Sequence, residues 1–211
     1  MAHGFSRKGG RYAARLDADE VAVVTALMDQ TRDLLAPHVR PTGDPFEDLV
    51  AEIDGAFGPS VGAAPTERPV QQPDREAPGD RDPALARLLP DAHRGDPAVA
   101  AEFRRLTEQG LRQRKYATLT AAIEALRSGD EQGRLALTGD QAQAVVVALT
   151  DTRLLLGERL GVRTEADAAA LSRMVTEQAH AEAAYAGAVY EFLTWLQESL
   201  ARALMGRGRL R

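Results

Sequence analysis

Ala22-Val23-Val24-Thr25-Ala26-Leu27-Met28-Asp29 and Ala144-Val145-Val146-Val147-Ala148-Leu149-Thr150-Asp151 agree at six of eight positions. Each stretch follows a glycine and a short aliphatic run: Gly10-Arg11-Tyr12-Ala13-Ala14-Arg15-Leu16 ahead of the first, Gly133-Arg134-Leu135-Ala136-Leu137 ahead of the second. A polar turn separates run from stretch in both, Asp17-Ala18-Asp19 and Thr138-Gly139-Asp140. The pattern predicts a strand–turn–helix unit used twice, over residues 11–36 and 133–160. Chance likeness between alanine-rich helices is the competing explanation, and the matched turn and upstream strand weigh against it. If the units are alike, the strands at 11–16 and 133–137 pair or neighbour each other while their helices share a core. The expected fold is mostly α, of α+β type: a helical domain with a small β-sheet built from an N-terminal hairpin and a second strand.

Working outward, residues 3–16 read as that hairpin, with Gly9-Gly10 supplying positive φ in a two-residue turn. Asp17 or Asp19 caps a helix over about 18–35, which Pro37 ends. Asp44-Pro45 opens a second helix, with Phe46, Leu49, Val50, Ile53 and Phe57 on one stripe. Residues 58–82 hold five prolines amid glycine and charge, with almost no large apolar residue. Such a segment buries too little surface to offset its ordering entropy, so it reads as a flexible linker. Because the two repeat units lie on either side of it, the linker falls inside one domain, residues 1–211.

Asp82-Pro83 begins a short helix closed by Pro90, and Asp96-Pro97 caps a longer one in which Gly110 predicts a kink or a break. Gly161 ends the second repeat helix as its C-terminal cap. Thr164 opens a helical stretch to about residue 205. Unbroken, it would run for about 60 Å, so a bend near 178–187 or a partner chain is expected.

The composition is that of an ordinary soluble protein, 44% hydrophobic and 27% charged. No apolar run reaches about 20 residues and the first ten hold no apolar signal core, which leads to an expectation of cytoplasmic location and no membrane partner. The chain has no cysteine, which excludes disulfides, thiolate nucleophiles and cysteine-based metal sites. A net charge of −5 opposes non-specific nucleic-acid binding. Basic residues nonetheless cluster at the start and at the end, with no acid after Glu198.

His3, His38, His93 and His180 lack ligand spacing, and no phosphate loop or catalytic serine motif is present. No catalytic residue, metal or cofactor is therefore expected, and the chain reads as a non-enzyme. Asp151 and Arg153 sit two apart on a helix and cannot pair side by side, so they read as part of a solvated face with some structural ion pairs. Arg104, Arg105, Arg112, Arg114 and Lys115 form a basic cluster, in which Arg104, Arg112 and Lys115 can share one helical face. It reads either as a contact for an acidic surface or, more simply, as a solvated face partly neutralised by Glu102 and Glu108. Trp195 is a core or interface residue on the final helix, where a homodimer contact is also open. The candidate partner-binding residues are thus Arg104, Arg105, Arg112, Lys115 and Trp195.

Three further runs carry a resemblance. They are Arg87-Leu88-Leu89-Pro90-Asp91-Ala92-His93 with Glu102-Phe103-Arg104-Arg105-Leu106-Thr107-Glu108, then Ala148 through Gly161, then Phe192-Leu193-Thr194-Trp195-Leu196-Gln197-Glu198-Ser199-Leu200. Together they resemble an actinobacterial domain-of-unknown-function family encoded near the Clp-protease adaptor ClpS, whose members are described as oxidative-stress transcriptional regulators (AosR-like). The resemblance implies a regulator that contacts a sigma factor or RNA polymerase, with an adaptor or accessory role in Clp proteolysis as the alternative. DNA binding is the less favoured mode. The chain departs from the family pattern at His93, Thr150 and Val145, where an aromatic, an asparagine and often a tryptophan are usual. A thiol-based redox response suggested for the family has no cysteine here to act on.

Overall fold

The computed structural model describes residues 2–36, 82–90, 97–177 and 181–206. The expected helix at 44–57, the linker at 58–82 apart from Asp82, and His38, His93 and His180 lie outside the described residues. In chain order the described elements are β1 (His3–Lys8), β2 (Arg11–Arg15), α1 (Ala18–Leu35), α2 (Pro83–Leu88), α3 (Pro97–Arg127), β3 (Arg134–Leu137), α4 (Gly139–Arg159), α5 (Glu165–Glu177) and α6 (Ala181–Leu204). The protein is mostly α with one small antiparallel sheet of order β1-β2-β3.

The hairpin forms as its glycines require, with Gly9 and Gly10 both at positive φ. β2 then pairs with β3, Tyr12 opposite Leu137 and Ala14 opposite Leu135. Tyr12, Ala14, Leu16, Leu135 and Leu137 face the core, while Arg11, Arg15 and Arg134 stay in solvent, the period-2 alternation of a half-buried sheet. The β1–β2 register slips between His3 and Ser6, and β1 packs against α6. There the Phe5 N–H donates to Ser199 Oγ at 3.0 Å. A Cβ on Gly4 would lie 2.8 Å from Ser199 Cβ, so only glycine fits.

Each inner strand leads into a helix with the same start. Asp17 accepts from the Glu20 N–H at 3.0 Å while Glu20 accepts from the Asp17 N–H at 2.8 Å. Thr138 and Gln141 repeat the exchange at 3.3 and 2.9 Å. These are capping boxes, and each capping side chain is worth about 1 kcal/mol. The cap pairs Asp17/Thr138 and Glu20/Gln141 are both 121 residues apart, as are the buried pairs Leu16/Leu137, Val24/Val145, Met28/Leu149 and Thr31/Thr152. The sequence match at 22–29 and 144–151 runs at a separation of 122, one residue out of step with this correspondence. Identical letters therefore fill unlike places: Asp29 is half-buried and pairs with Arg127, whereas Asp151 is buried. At the corresponding threonines the two helices touch, Thr31 Oγ1 to Thr152 Oγ1 at 3.5 Å.

α4 lies at the centre, packed against α1, α2, α3 and α6. Its buried side includes Ala142, Val145, Ala148, Leu149 and Leu155, small and aliphatic residues that let four helices approach it. Each fully buried leucine adds about 1.5–3 kcal/mol of transfer free energy. Gly110 does not break α3, which runs 31 residues through it. No atom would contact a side chain there, so only the propensity deficit of about 1 kcal/mol applies, too little to interrupt a packed helix. The stretch from Thr164 is divided between α5 and α6, which pack on one another. Among the described residues no helix is long and apolar enough to cross a membrane.

Candidate partner-binding surfaces

Two surfaces hold the candidate residues. The first is α3, whose 31 residues extend for about 46 Å. Phe103 and Leu106 are exposed near its N-terminal end, while the side chains of Arg104 and Arg105 lie outside the described set. Arg112 donates through Nε to Glu108 at 3.0 Å, one helical turn away. Lys115 turns inward: its Nζ lies 2.6 Å from Oδ1 of Asp151 on α4. The Asp151 side chain is only 4% exposed, against 19% for Lys115. Asp151 is therefore not on a solvated face, the correction that tertiary packing makes to the sequence reading. Its Oδ2 is buried with no hydrogen-bond partner. Tyr116, next along α3, sits under the Arg32 guanidinium at 5.7 Å. Arg112 and Lys115 thus hold α3 to itself and to the fold, while Arg114 stays exposed.

The second surface is α6, together with its seam against α4. Trp195 remains 37% exposed and stacks on Phe192 with ring centroids 5.8 Å apart. Across the seam Arg153 donates to Gln197 Oε1 at 2.5 Å and lies over the Tyr190 ring at 5.3 Å. Gln197 in turn donates to Thr150 Oγ1 at 2.6 Å. Among the described residues Arg153 forms no ion pair. Val147 and Leu154 flank Thr150 on the exposed side of α4, at the spacing that puts them on one face. The seam therefore combines Arg153 and the Tyr190 ring, residue types favoured in protein contacts, with exposed aliphatics beside them, while Trp195 lies on the side of α6 that faces Gly4 of β1. Sequence reasoning singled out Trp195 on α6 but read Arg153 only as part of a charged helix face. Nothing local marks Arg153, because its partners lie 37 and 44 residues away.

The lowered carboxyl pKa values belong to structural pairs. Glu158 is held below its ordinary value chiefly by the hydrogen bond from Arg163, then by Arg87 on α2. Asp130 is lowered by the backbone N–H of Arg134 and next by its side chain. Asp167 is lowered by the Arg163 backbone N–H and by Thr164, whose helix it caps. Each fastens a turn rather than presenting a group for proton transfer. Among the described residues no three His, Asp or Glu side chains cluster as metal ligands would.

The chain is similar along most of its length to proteins named oxidative stress regulator AosR. Those of Mycobacterium bovis and Mycobacterium tuberculosis are each 29% identical over 214 residues, covering 95% of this chain and 85% of theirs. A protein of Mycobacterium leprae named putative oxidative stress regulator AosR is 30% identical over 210 residues, covering 93% and 84%. No solved structure matches the chain. From residue 2 to residue 204, the whole of the sheet and of the described helices, it belongs to the family described as a domain of unknown function, DUF2017.

Proposed function

We propose that the protein is a non-enzymatic transcriptional regulator of the oxidative-stress response that acts by contact with a sigma factor or RNA polymerase. The likeness of 95% of the chain to proteins named oxidative stress regulator carries this reading. Having no cysteine, the chain has no thiol to oxidise. In this reading the redox signal is sensed elsewhere and relayed by association. Two features of α6 support a protein contact: the part-exposed Trp195 stacked on Phe192, and, at the seam with α4, Arg153 over the Tyr190 ring.

Crosslinking mass spectrometry with the tagged full chain, in peroxide-treated cells of the source organism, tests the reading. Crosslinks from α6 to a sigma factor or RNA polymerase subunit, lost in a folded Trp195→Ala variant, support it. Recovery of no transcription component counts against it. Recovery of ClpS or a Clp ATPase instead replaces it with the adaptor alternative.

A further inference from the structure

We infer that the α4–α6 seam takes an acidic amphipathic helix of a partner protein, with a carboxylate seated on Arg153 and aliphatic side chains laid on Val147 and Leu154. The inference deepens the reading above and rests on it only in taking the partner to be a protein.

Arg153 is half-buried and held in place by uncharged groups. Its Nη1 donates to Gln197 Oε1 at 2.5 Å, its Nη2 lies 3.5 Å from the Tyr190 hydroxyl, and the guanidinium covers the Tyr190 ring. Gln197 is fixed in turn by Thr150. Nε is buried with no hydrogen-bond partner. Carboxylates close to Arg153 along the two helices are engaged elsewhere: Asp151 by Lys115, Glu158 by Arg87 and Arg163, Glu198 by Arg202. Glu191, next to Tyr190 on α6, is exposed. Drawing a guanidinium out of water without a counter-ion costs free energy, and an aromatic face returns less of it than a carboxylate does. The fork is already oriented, so an incoming carboxylate orders little that is not ordered now.

The surroundings choose among anions. A single guanidinium is too little for a phosphodiester backbone, whose binding rests on several lysines and arginines together. Val147 and Leu154, 36% and 38% exposed, stand one turn to either side of Thr150, about 10 Å apart along α4. A protein helix with aliphatic residues two turns apart matches that separation and covers both, whereas a phosphate leaves them in water.

The probe is a fluorescein-labelled, alanine-based helical peptide with leucines seven residues apart and two glutamates between them, titrated with the full chain at low salt and followed by anisotropy. Arg153→Gln should weaken binding about 10-fold, as should glutamine in place of the peptide's glutamates. Val147→Ser with Leu154→Ser, both at exposed positions, should weaken it by a similar factor. Arg153→Glu should abolish binding of the glutamate peptide and accept a lysine peptide of the same pattern, a rescue that a merely structural role of Arg153 would not give. Arg114→Gln, exposed on α3, should leave binding within about 2-fold. The inference is overturned if no binding is seen at about 1 mM peptide, which corresponds to no more than the weakest specific affinity. It is also overturned if the glutamine peptide binds as well, if the lysine peptide fails to rescue Arg153→Glu, or if Arg114→Gln weakens binding as much as Arg153→Gln. Circular dichroism melts of each variant confirm that the seam is folded. A peptide that fails while crosslinks to a transcription component persist overturns this inference alone. A peptide that binds while no such component is recovered keeps the site and removes the transcription partner.

Discussion

Removing the ammonium of Lys115 should destabilise the fold more than removing the carboxylate it pairs with. Lys115→Met retains the aliphatic stem and leaves Asp151 ionised in a site where its side chain is 4% exposed and Oδ2 already lacks a partner. Breaking a buried ion pair from one side costs about 3–5 kcal/mol; the lower end applies because Lys115 is itself 19% exposed. Asp151→Asn leaves an ammonium that can follow its own stem to water and still donate to the amide oxygen, a loss of about 1–2 kcal/mol. Replacing both, as Lys115→Met with Asp151→Leu, should recover most of the larger loss, since no buried charge remains. Urea titration reads all three. With a slope of about 2 kcal/mol/M, Lys115→Met lowers the midpoint by about 1.5 M and Asp151→Asn by about 0.5–1 M. The order of the two single variants carries the reasoning: equal or reversed shifts refute it. A Lys115 that served a partner instead would give an unchanged midpoint and lost crosslinks.

Gly133→Ala should cost more than about 2 kcal/mol in the same titration, because a Cβ there falls 1.9 Å from the Leu16 carbonyl at φ +71°; a variant of ordinary stability would show that the turn can move aside. Asp130, Glu158 and Asp167 have depressed pKa values, so their stabilisation is complete above the unfolded values of 3.8 and 4.5 and is lost as pH falls through the lower native values. Melting temperature should therefore hold level from about pH 7 to pH 5 and decline below that, with a shallower acid decline in Arg163→Ala. A decline already under way between about pH 7 and pH 6 would assign the dependence to other groups. Trp195→Ala should cost less than about 2 kcal/mol, well below a buried tryptophan, since 37% of the residue is exposed. Global unfolding of that variant would make Trp195 a core residue and remove it from the partner surface.

The elements governed by local chemistry were legible in the sequence. Gly9-Gly10 set the hairpin, Asp17 and the turn at Thr138 set the helix starts, and Gly161 adopts the positive φ expected of a terminator. At Gly110 the small propensity loss is not enough to break α3, which continues to Arg127. Local rules placed the internal match one residue off, because identity between alanine and valine runs is cheaper to find than equivalence of caps. What could not be read was any pairing across the fold. Asp151 looked solvated because its partner is 36 residues away, and Arg153 looked ordinary because Tyr190 and Gln197 belong to another helix. The basic stripe on α3 was visible, but not that Lys115 would turn from solvent toward α4.

The contact of Phe5 with Ser199 has a consequence in time as well as in space. The first strand docks on a helix 194 residues downstream, so at about 5–20 residues per second it emerges from the ribosome about 10–40 s before its support exists. Through that interval the hairpin can turn at its glycines, but β2 must wait for β3 and β1 must wait for α6. The sheet is thus assembled last, although its first two strands are made first. A chaperone or protease acting during synthesis would meet the N-terminal segment as an open strand.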